Sequence, residues 1–350
     1  MDNIIEDTSR VARFDAGHGV HIYRIPCQVL PHLSGYVHLV RGPGISTTLF
    51  DAGSSQGHST PDILAGFDQI HSHYEPFYPE QIDRIILTHA HVDHFGGLSE
   101  LRRLTGAEVW VHASESRTVC SFNERATVFN LRASRMCREC GLSQEETDAA
   151  LRHFGFLPGR VAATPVDRII TDRMESDGLS FHHLPGHSAG HLAIVFGNYL
   201  FTGDILLSKT LTQIWPERLI PQTGIGHYLE SLERLGELAD QVRLITGQAP
   251  VLMTGHEEVV TRTGERIELV RKSEHRRNER IITLLQNAEE PPTARQLFRK
   301  MYLTAQSSRM FFGLCDVVAR LEFLQQQGRV AVVDYDRITE EQPEFHYAAC

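Results

Sequence analysis

Short apolar runs alternate with amphipathic segments along most of the 350-residue chain. Leucines at helical spacing mark a helix that follows residue 95 and another over 227–240. Strand-like runs separated by Gly and Pro occupy parts of residues 19–52 and then recur at 82–87, 107–112, 179–184, 192–204, 242–247 and 250–256. This alternation predicts an α/β fold in which helices cover a sheet.

Two segments depart from the alternation. Residues 114–166 are polar and helix-compatible, with Ser143 and Glu146 at the spacing of a helix-capping pair, so we interpret them as an inserted helical cap. After residue 260 the chain is charged and helical, and then forms a β-pair turned at a glycine, which is the element order of a winged helix. We therefore predict a main domain over residues 1–260 and a winged-helix-like domain over 261–350.

Composition narrows the functional classes. The 34 Lys and Arg against 44 Asp and Glu give a formal net charge of −10, which argues against a dedicated nucleic-acid binder, because such proteins neutralise phosphates. The acidic amino terminus lacks the apolar core of a secretory signal, and the apolar runs are too short to span a membrane. We therefore expect a cytoplasmic protein. Six cysteines are too few for a disulfide scaffold, and we interpret Cys137 and Cys140 as reduced thiols.

A histidine-rich stretch, HAHVDHFGG, follows the strand-like run at 82–87. His89 and His91 are two residues apart and can point the same way from an extended strand end, while Asp93 and His94 follow as the chain turns into a helix. Three imidazoles and one carboxylate within a few ångströms are typical of a metal site. The alternative is a polar loop that is merely rich in histidine.

Three further ligand-type residues occur in the same context downstream. His187 in PGHSAGH, Asp204 in FTGD and His256 in TGH each follow a short apolar strand and lie in a Gly-containing loop. In this order, and with Asp51-Ala52-Gly53 after an earlier strand, the motifs resemble the metallo-β-lactamase superfamily over roughly residues 19–256. The C-terminal segment resembles that of the lactamase-beta-2-like subgroup, which includes a single-strand endoribonuclease.

The resemblance implies a four-layered αβ/βα sandwich with two metal ions at one edge. It also implies that Asp51 orients the histidines from behind the ligands. The implied ligands are His89, His91 and His187 for the first ion, Asp93, His94 and His256 for the second, and Asp204 as a bridge between them.

The donor set predicts the chemistry. Nitrogen and oxygen ligands without thiolate suit two divalent ions, zinc above all, with manganese or iron as alternatives. A single zinc already lowers the pKa of bound water to about 7, and two metals would do the same to a shared hydroxide. We therefore predict a dinuclear-metal hydrolase in which this bridging hydroxide attacks the substrate. Asp93 and Asp204 are the predicted catalytic carboxylates, with Asp93 shuttling a proton.

The substrate stays open between two main alternatives. A cap over the metals favours a small ester, thioester or lactone, whereas the C-terminal segment favours a phosphodiester in RNA. The helix expected over 307–327 carries only Arg309 and Arg320 against Asp316 and Glu322. That is little for phosphate contacts, so we favour a small-molecule substrate over nucleic acid, and a tail that packs on the main domain or forms a homodimer. An iron-dependent redox enzyme and a non-catalytic metal-bound sensor are the remaining alternatives.

Several other side chains are candidates for secondary roles. Lys209, Trp215 and Arg218 lie in the loop after Asp204 and could contact substrate, and Tyr228 at the start of a leucine-rich helix is a fourth candidate. Packing or surface positions are the competing interpretation for each. The remaining histidines near strand ends are more typical of supporting roles than of metal ligands: His58, His112, His182, His183 and His191.

Overall fold

A computed structural model describes residues 10–154, 159, 161–302, 310–340 and 343–350. Two large β-sheets face each other in it, and helices cover the outer face of each. Apolar side chains of both sheets fill the space between them, and the rings of Phe50 and Phe201 stack across it with centroids 4.0 Å apart. This is the four-layered sandwich that the resemblance implied.

The first sheet is antiparallel from β1 to β4 and parallel from β4 to β7, with neighbours in chain order. The central strands β4 and β5 are buried along their whole length, as is typical of strands covered on both faces. The strands of this sheet are β1 (Ala12–Asp15), β2 (His21–Leu30), β3 (Leu33–Arg41), β4 (Thr48–Phe50), β5 (Arg84–Ile86), β6 (Glu108–His112) and β7 (Arg168–Ile170).

The second sheet has the order β12-β11-β10-β9-β8. Its strands are antiparallel except for the parallel pair β11 and β12. A hairpin turn at Gly197 and Asn198 joins β10 to β11. The strands are β8 (Glu175–Ser176), β9 (Leu179–His183), β10 (Leu192–Phe196), β11 (Tyr199–Gly203) and β12 (Val251–Thr254).

Helices α1 (Ser59–His73), α2 (Val92–Phe95) and α3 (Leu98–Thr105) belong to the layer on the first sheet, and α7 (Ile225–Thr246) and α8 (Thr263–Gln286) to the layer on the second. The strand predicted at 242–247 is wrong, because α7 continues to Thr246. Val242 extends the buried stripe of Leu235 and Leu238 at helical spacing, and this packing overrides the β-branched residues of the segment.

The insertion predicted over 114–166 is helical as far as Phe154 and consists of α4 (Ala113–Cys120), α5 (Phe122–Glu139) and α6 (Gln144–Phe154). Residues 155–158 and 160 lie outside the described residues, and 161–166 form no helix. The predicted capping pair is confirmed. The Ser143 backbone N–H donates to the Glu146 carboxylate at 2.9 Å, and the Glu146 N–H donates to the Ser143 hydroxyl at 3.2 Å. We refer to α4, α5 and α6 as the helical cap.

The C-terminal part contains the last turns of α8, then α9 (Ala294–Met301), α10 (Met310–Gln326), β13 (Val330–Val332) and β14 (Tyr347–Ala349). Its apolar side chains share one core with the helical cap, where Phe129 and Met136 of α5 belong to the same cluster as Phe311 and Val318 of α10. Helix α8 begins two residues after the predicted boundary at 261, and the division into domains remains a prediction.

Across the described ranges, no helix is both long enough and apolar enough to cross a bilayer. The acidic amino-terminal residues 1–9 lie outside the described residues.

Candidate metal centre

The candidate ligands lie at one edge of the sandwich, where strands of both sheets end. Parallel strands end at the same edge, so the residues after β4 and β5 come together, as do those after β11 and β12. The side chains placed there are Asp51 after β4, His89 and His91 after β5, Asp93 and His94 in α2, His187 after β9, Asp204 after β11 and His256 after β12.

These side chains form groups whose donor atoms lie within 4.8 Å of one another. The two outer groups are His89, His91 and His187, and Asp93, His94 and His256. A third group joins Asp204 to His89 and His94, and therefore links the two. The groups coincide with the two ligand sets that the resemblance implies.

Most of the histidines are fixed by hydrogen bonds from Nδ1. His187 Nδ1 contacts the backbone carbonyl of Gln213 at 2.8 Å, and His256 Nδ1 contacts that of Ser34 at 2.7 Å. Because a carbonyl accepts only, each Nδ1 carries the proton, and Nε2 presents its lone pair to the centre of the cluster. This is the tautomer that a metal ligand needs.

Asp51 lies behind the cluster. Its carboxylate accepts from the backbone N–H of Thr88 at 2.7 Å and lies 2.9 Å from His94 Nδ1. The Thr88 hydroxyl donates to the same carboxylate at 2.8 Å and lies 3.1 Å from His89 Nδ1. Asp51 thus orients His94 directly and His89 through Thr88, and its φ of +62° holds it in this position after β4.

Five candidate ligand atoms of the cluster are buried and have no hydrogen-bond partner among the described residues. They are Nε2 of His89, His91, His94 and His187, and Oδ1 of Asp204. Buried polar atoms are nearly always paired, so a group of unpaired acceptors is typical of a cation-binding site. The spacing fits a metal, since His94 Nε2 and His256 Nε2 each lie 3.4 Å from Asp204 Oδ2. Two ligand atoms at about 2.1 Å from a tetrahedral zinc lie roughly 3.4 Å apart.

The electrostatics point to the same conclusion. Burial lowers the pKa of His91 to about 3, so its imidazole is neutral. Burial also disfavours the charged form of His256, but the Asp204 and Asp93 carboxylates raise its pKa to about 10. Burial would raise the pKa of Asp204, yet His256 and His94 hold it well below its usual range. The carboxylates require positive charge, which metal ions would supply in place of protons.

The glycine of the TGH motif is required by the cluster. A Cβ on Gly255 would lie 2.5 Å from Cε1 of His94 and 2.6 Å from Oδ1 of Asp204. Any side chain at this position would therefore occupy the space between the candidate ligands.

A cavity of about 570 Å³ opens onto the cluster. His91, Asp93, His187, Asp204 and His256 line one side of it. The other walls are largely apolar and come from separate parts of the chain, namely Leu30 and Leu33 of the β2–β3 hairpin, Phe122 of α5, Trp215, and Phe312 of α10. The cap and the C-terminal part therefore both shape the space in front of the candidate metal centre.

Of the four predicted substrate-contacting residues, the structure places only Trp215 at this cavity, with its ring centroid 6.4 Å from that of His91. Lys209 is exposed and its ammonium lies 2.6 Å from Glu258. Arg218 is directed to Glu322 at 2.5 Å and to Glu139 at 3.1 Å. Tyr228 is buried in the core between the second sheet and α7. These three side chains lie away from the cluster because local packing and ion pairs direct them elsewhere.

The other histidines considered from the sequence lie outside the candidate ligand groups found in the described residues. His191 is the nearest: its ring lies 4.9 Å from that of His89, and its Nε2 accepts the backbone N–H of Asp204 at 3.2 Å. His112 and His183 stack on each other with centroids 4.0 Å apart. His182 contacts Ser180, and His58 is exposed before α1.

Sequence reasoning missed Glu115 in α4. It is buried, its carboxylate accepts the backbone N–H of Gly190 at 2.9 Å, and burial raises its pKa. The backbone of Ala90, between His89 and His91, also interacts with this carboxylate. Glu115 thus joins the two loops that carry the candidate ligands of one ion. No local pattern indicates this role, because it depends on how α4 packs against both loops.

Comparison with known proteins now decides the family. The model of the metallo-beta-lactamase superfamily matches residues 30–247. This chain belongs to the metallo-beta-lactamase superfamily. The match contains every candidate ligand except His256, which lies nine residues beyond it.

Curated relatives of this metallo-beta-lactamase superfamily chain include hydrolases. The hydroxyacylglutathione hydrolase of Shewanella loihica is 24% identical over 156 residues, which cover 45% of this chain and 45% of that protein. The hydroxyacylglutathione hydrolase GloC of Haemophilus influenzae is 29% identical over 180 residues, which cover 50% of this chain and 72% of that protein. The chain thus spans less than half the length of the first of these relatives.

Among solved structures, a beta-lactamase domain protein from Burkholderia ambifaria is similar with a TM-score of 0.70 at 21% identity. The match covers 99% of this chain and 96% of that one. The shared fold therefore includes the cap and extends beyond the superfamily region into the C-terminal part.

Proposed function

We propose that this protein is a hydrolase with two divalent metal ions, most readily zinc, that cleaves a small ester or thioester. The observation that carries the proposal is the set of unpaired, buried nitrogen and oxygen atoms at the end of a cavity of about 570 Å³. This volume is within the range of roughly 300–1,000 Å³ that is usual for small-molecule sites.

The candidate ligands form two sets, one for each metal ion. His89, His91 and His187 would hold one ion, Asp93, His94 and His256 the other, and Asp204 would lie between them. When bound, the metals supply Lewis acidity and lower the pKa of water. Asp51 and the carbonyls of Gln213 and Ser34 keep the imidazoles in the ligand tautomer.

Asp93 is the proposed proton carrier. Its Oδ2 lies 3.3 Å from His256 Nε2, and its side chain lines the cavity where substrate would lie. In hydrolysis of a thioester, the oxygen of water forms a bond to the acyl carbon and the carbon–sulfur bond breaks. Asp93 takes the proton of the water and returns it to the departing thiolate. The products are a thiol and a carboxylic acid, which releases its own proton to solvent and leaves as the carboxylate.

A neutral acyl substrate fits the cavity better than RNA does. Among the described residues that line it there is no Lys or Arg, whereas phosphodiester binding depends on such cations. Arg320 of α10 is fully buried in ion pairs, so it is not available for phosphate contacts. The hydroxyacylglutathione hydrolase names of the curated relatives support a thioester among the acyl substrates.

The test is a parallel assay of the zinc- and manganese-loaded protein on a panel of thioesters, esters and lactones, on bis-nitrophenyl phosphate, and on a short single-stranded RNA. We expect acyl hydrolysis, about two equivalents of metal per chain, and a loss on the order of a thousandfold in His91→Ala, since metal catalysis contributes several kcal/mol.

The matched control is His275→Ala, which removes an exposed histidine from α8 and should hydrolyse the panel like the wild type. RNA cleavage that disappears in His91→Ala, with no acyl hydrolysis, would replace the proposal by the nuclease alternative. Protein purified without chelator that contains no metal would contradict both.

A further inference from the structure

A second cavity, of about 330 Å³, lies on the cap side of His91. One wall is the inner face of α5, where Phe122, Ala126 and Phe129 are buried or nearly so. The opposite wall comes from the loop that contains Leu219 and Ile220. The lining of the cavity is therefore mainly apolar.

The charged groups around this cavity have protein partners, although the buried Nε of Arg125 has none among the described residues. The guanidinium groups of Arg117 and Arg125 pair with Glu124 at 2.7 and 2.9 Å, and Arg132 donates to the carbonyl of Leu219 at 3.0 Å. The Glu115 carboxylate accepts from the backbone N–H of Gly190. An anionic ligand would meet a buried carboxylate and cations that are already engaged, so the cavity suits a neutral, apolar group.

The two cavities are adjacent beside the candidate metal centre. His91 and Phe122 line both of them, and His91 is a candidate ligand of the first ion. A carbonyl carbon placed beside His91 could therefore direct one substituent into each cavity. Ser34, Gln56 and Gln213 contribute uncharged polar side chains to the walls of the larger cavity.

We propose that the smaller cavity binds the apolar acyl chain of the substrate and that the larger cavity binds its more polar thiol or alcohol portion. This inference rests on the proposed hydrolase function and specifies its substrate class: thioesters or esters of unbranched, uncharged acyl chains. Chain length is then selected by α5 of the cap. Each methylene that enters an apolar cavity contributes about 0.8 kcal/mol, so kcat/KM should rise about fourfold per methylene until the cavity is full.

The kinetic test measures kcat/KM of the zinc-loaded protein on acetyl, butyryl, hexanoyl and octanoyl thioesters of N-acetylcysteamine. Ala126→Phe adds a ring to the wall of the smaller cavity, and Ala126→Leu is the milder variant if the larger side chain unfolds the protein. We expect the octanoyl-to-acetyl ratio to exceed tenfold in the wild type and to fall at least tenfold in Ala126→Phe. Thr127→Phe, on the exposed face of the same helix, is the matched control and should keep the wild-type ratio.

A binding test separates the two proposals. Butanol, hexanol and octanol are titrated into the same zinc-loaded proteins by calorimetry, which requires no hydrolysis. We expect affinity to rise with chain length in the wild type and in Thr127→Phe, and to lose that dependence in Ala126→Phe or Ala126→Leu. If no thioester or ester is cleaved, the proposed function fails and this titration alone decides the role of the cavity. A wild type without chain-length dependence in either measurement, or Ala126 variants that retain it, would overturn the inference.

Discussion

The molecule contains two buried polar clusters that differ in how their atoms are paired. In the candidate metal centre, four imidazole nitrogens and one carboxylate oxygen are buried without a partner among the described residues. In the C-terminal part, a cluster around Arg320 is equally buried, but its charges meet each other. Arg320 itself has no exposed surface.

The Arg320 cluster connects α8 to α10. The guanidinium binds Asp316 through two contacts at 3.0 and 3.1 Å, Glu274 at 2.7 Å and Asn278 at 2.9 Å. Tyr302 donates to the second oxygen of Asp316 at 2.5 Å. Donors and acceptors are matched, and no further ion is needed.

The difference shows how a buried polar cluster with a structural role can be distinguished from one with a binding role. A paired cluster fixes the position of one element against another, whereas a cluster of unpaired acceptors lowers stability unless something binds to it. Substitutions in the two clusters should therefore have opposite consequences for stability and metal content.

The largest effect on stability is expected in the paired cluster. Arg320→Ala leaves the buried Asp316 and Glu274 with Arg277, at 2.6 and 3.3 Å, as their remaining cation, so the free energy of unfolding should fall by about 3 kcal/mol, the lower end for a broken buried ion pair. Urea unfolding of the zinc-loaded protein measures this, and the metal content of the folded protein should not change. Arg329→Ala breaks a half-exposed pair with Glu279 and should cost no more than about 1 kcal/mol. Equal losses in the two variants would show that burial does not distinguish the two ion pairs.

A smaller effect is expected from metal in the unpaired cluster. Zinc at a hundred times its dissociation constant should stabilise the wild type by about 2.7 kcal/mol over chelated protein. In Asp204→Asn the proposed bridging carboxylate is lost, so the difference in Tm between zinc-loaded and chelated protein should shrink by more than half. The chelated variant should be only modestly less stable than chelated wild type, because Asp204 pairs with the protonated His256 when no metal is bound. A strongly destabilised chelated variant would show that Asp204 is structural.

The smallest effect is expected for Glu115, which holds the loops of the unpaired cluster in place and should influence metal affinity. Glu115→Ala removes the acceptor for Gly190 N–H behind His187, and metal affinity should fall about tenfold, the lower end for residues that support ligands. Competition with a fluorescent chelator measures the affinity, and Glu115→Gln should recover part of it because its amide oxygen still accepts. Glu124→Ala, on the exposed side of the cap, is the control. An unchanged zinc affinity in Glu115→Ala would assign Glu115 to packing alone.

The candidate ligands could be predicted from sequence because each one follows a short strand closely. His89, Asp204 and His256 lie within three residues of the ends of β5, β11 and β12, and parallel strands bring such positions to one edge. That these residues belong to one site could be predicted only from the family resemblance, because the sequence distance from His94 to His187 does not indicate whether the two lie close in space.

The walls of the site could not be predicted in the same way. Glu115, Phe129 and Phe312 reach the cavities through packing between helices that are distant in sequence. Lys209 and Arg218 lie near Asp204 along the chain, but partners from other segments, Glu258 and Glu322, hold their side chains away from the cluster. The strand predicted at 242–247 from local β-propensity is wrong for a similar reason, because the buried stripe of α7 determines the conformation there.

The core shared by α5 and α10 has a consequence for how specificity could change in evolution or by engineering. Because Phe129 and Phe311 belong to one cluster, the cap and the C-terminal helices depend on each other for their buried surface. Grafting a new cap without its matching helices would leave half of that cluster facing water, whereas exchanging both together would preserve it. Substitutions at Phe312, on a helix more than fifty residues from the nearest candidate ligand in sequence, could then alter substrate choice without touching the metals.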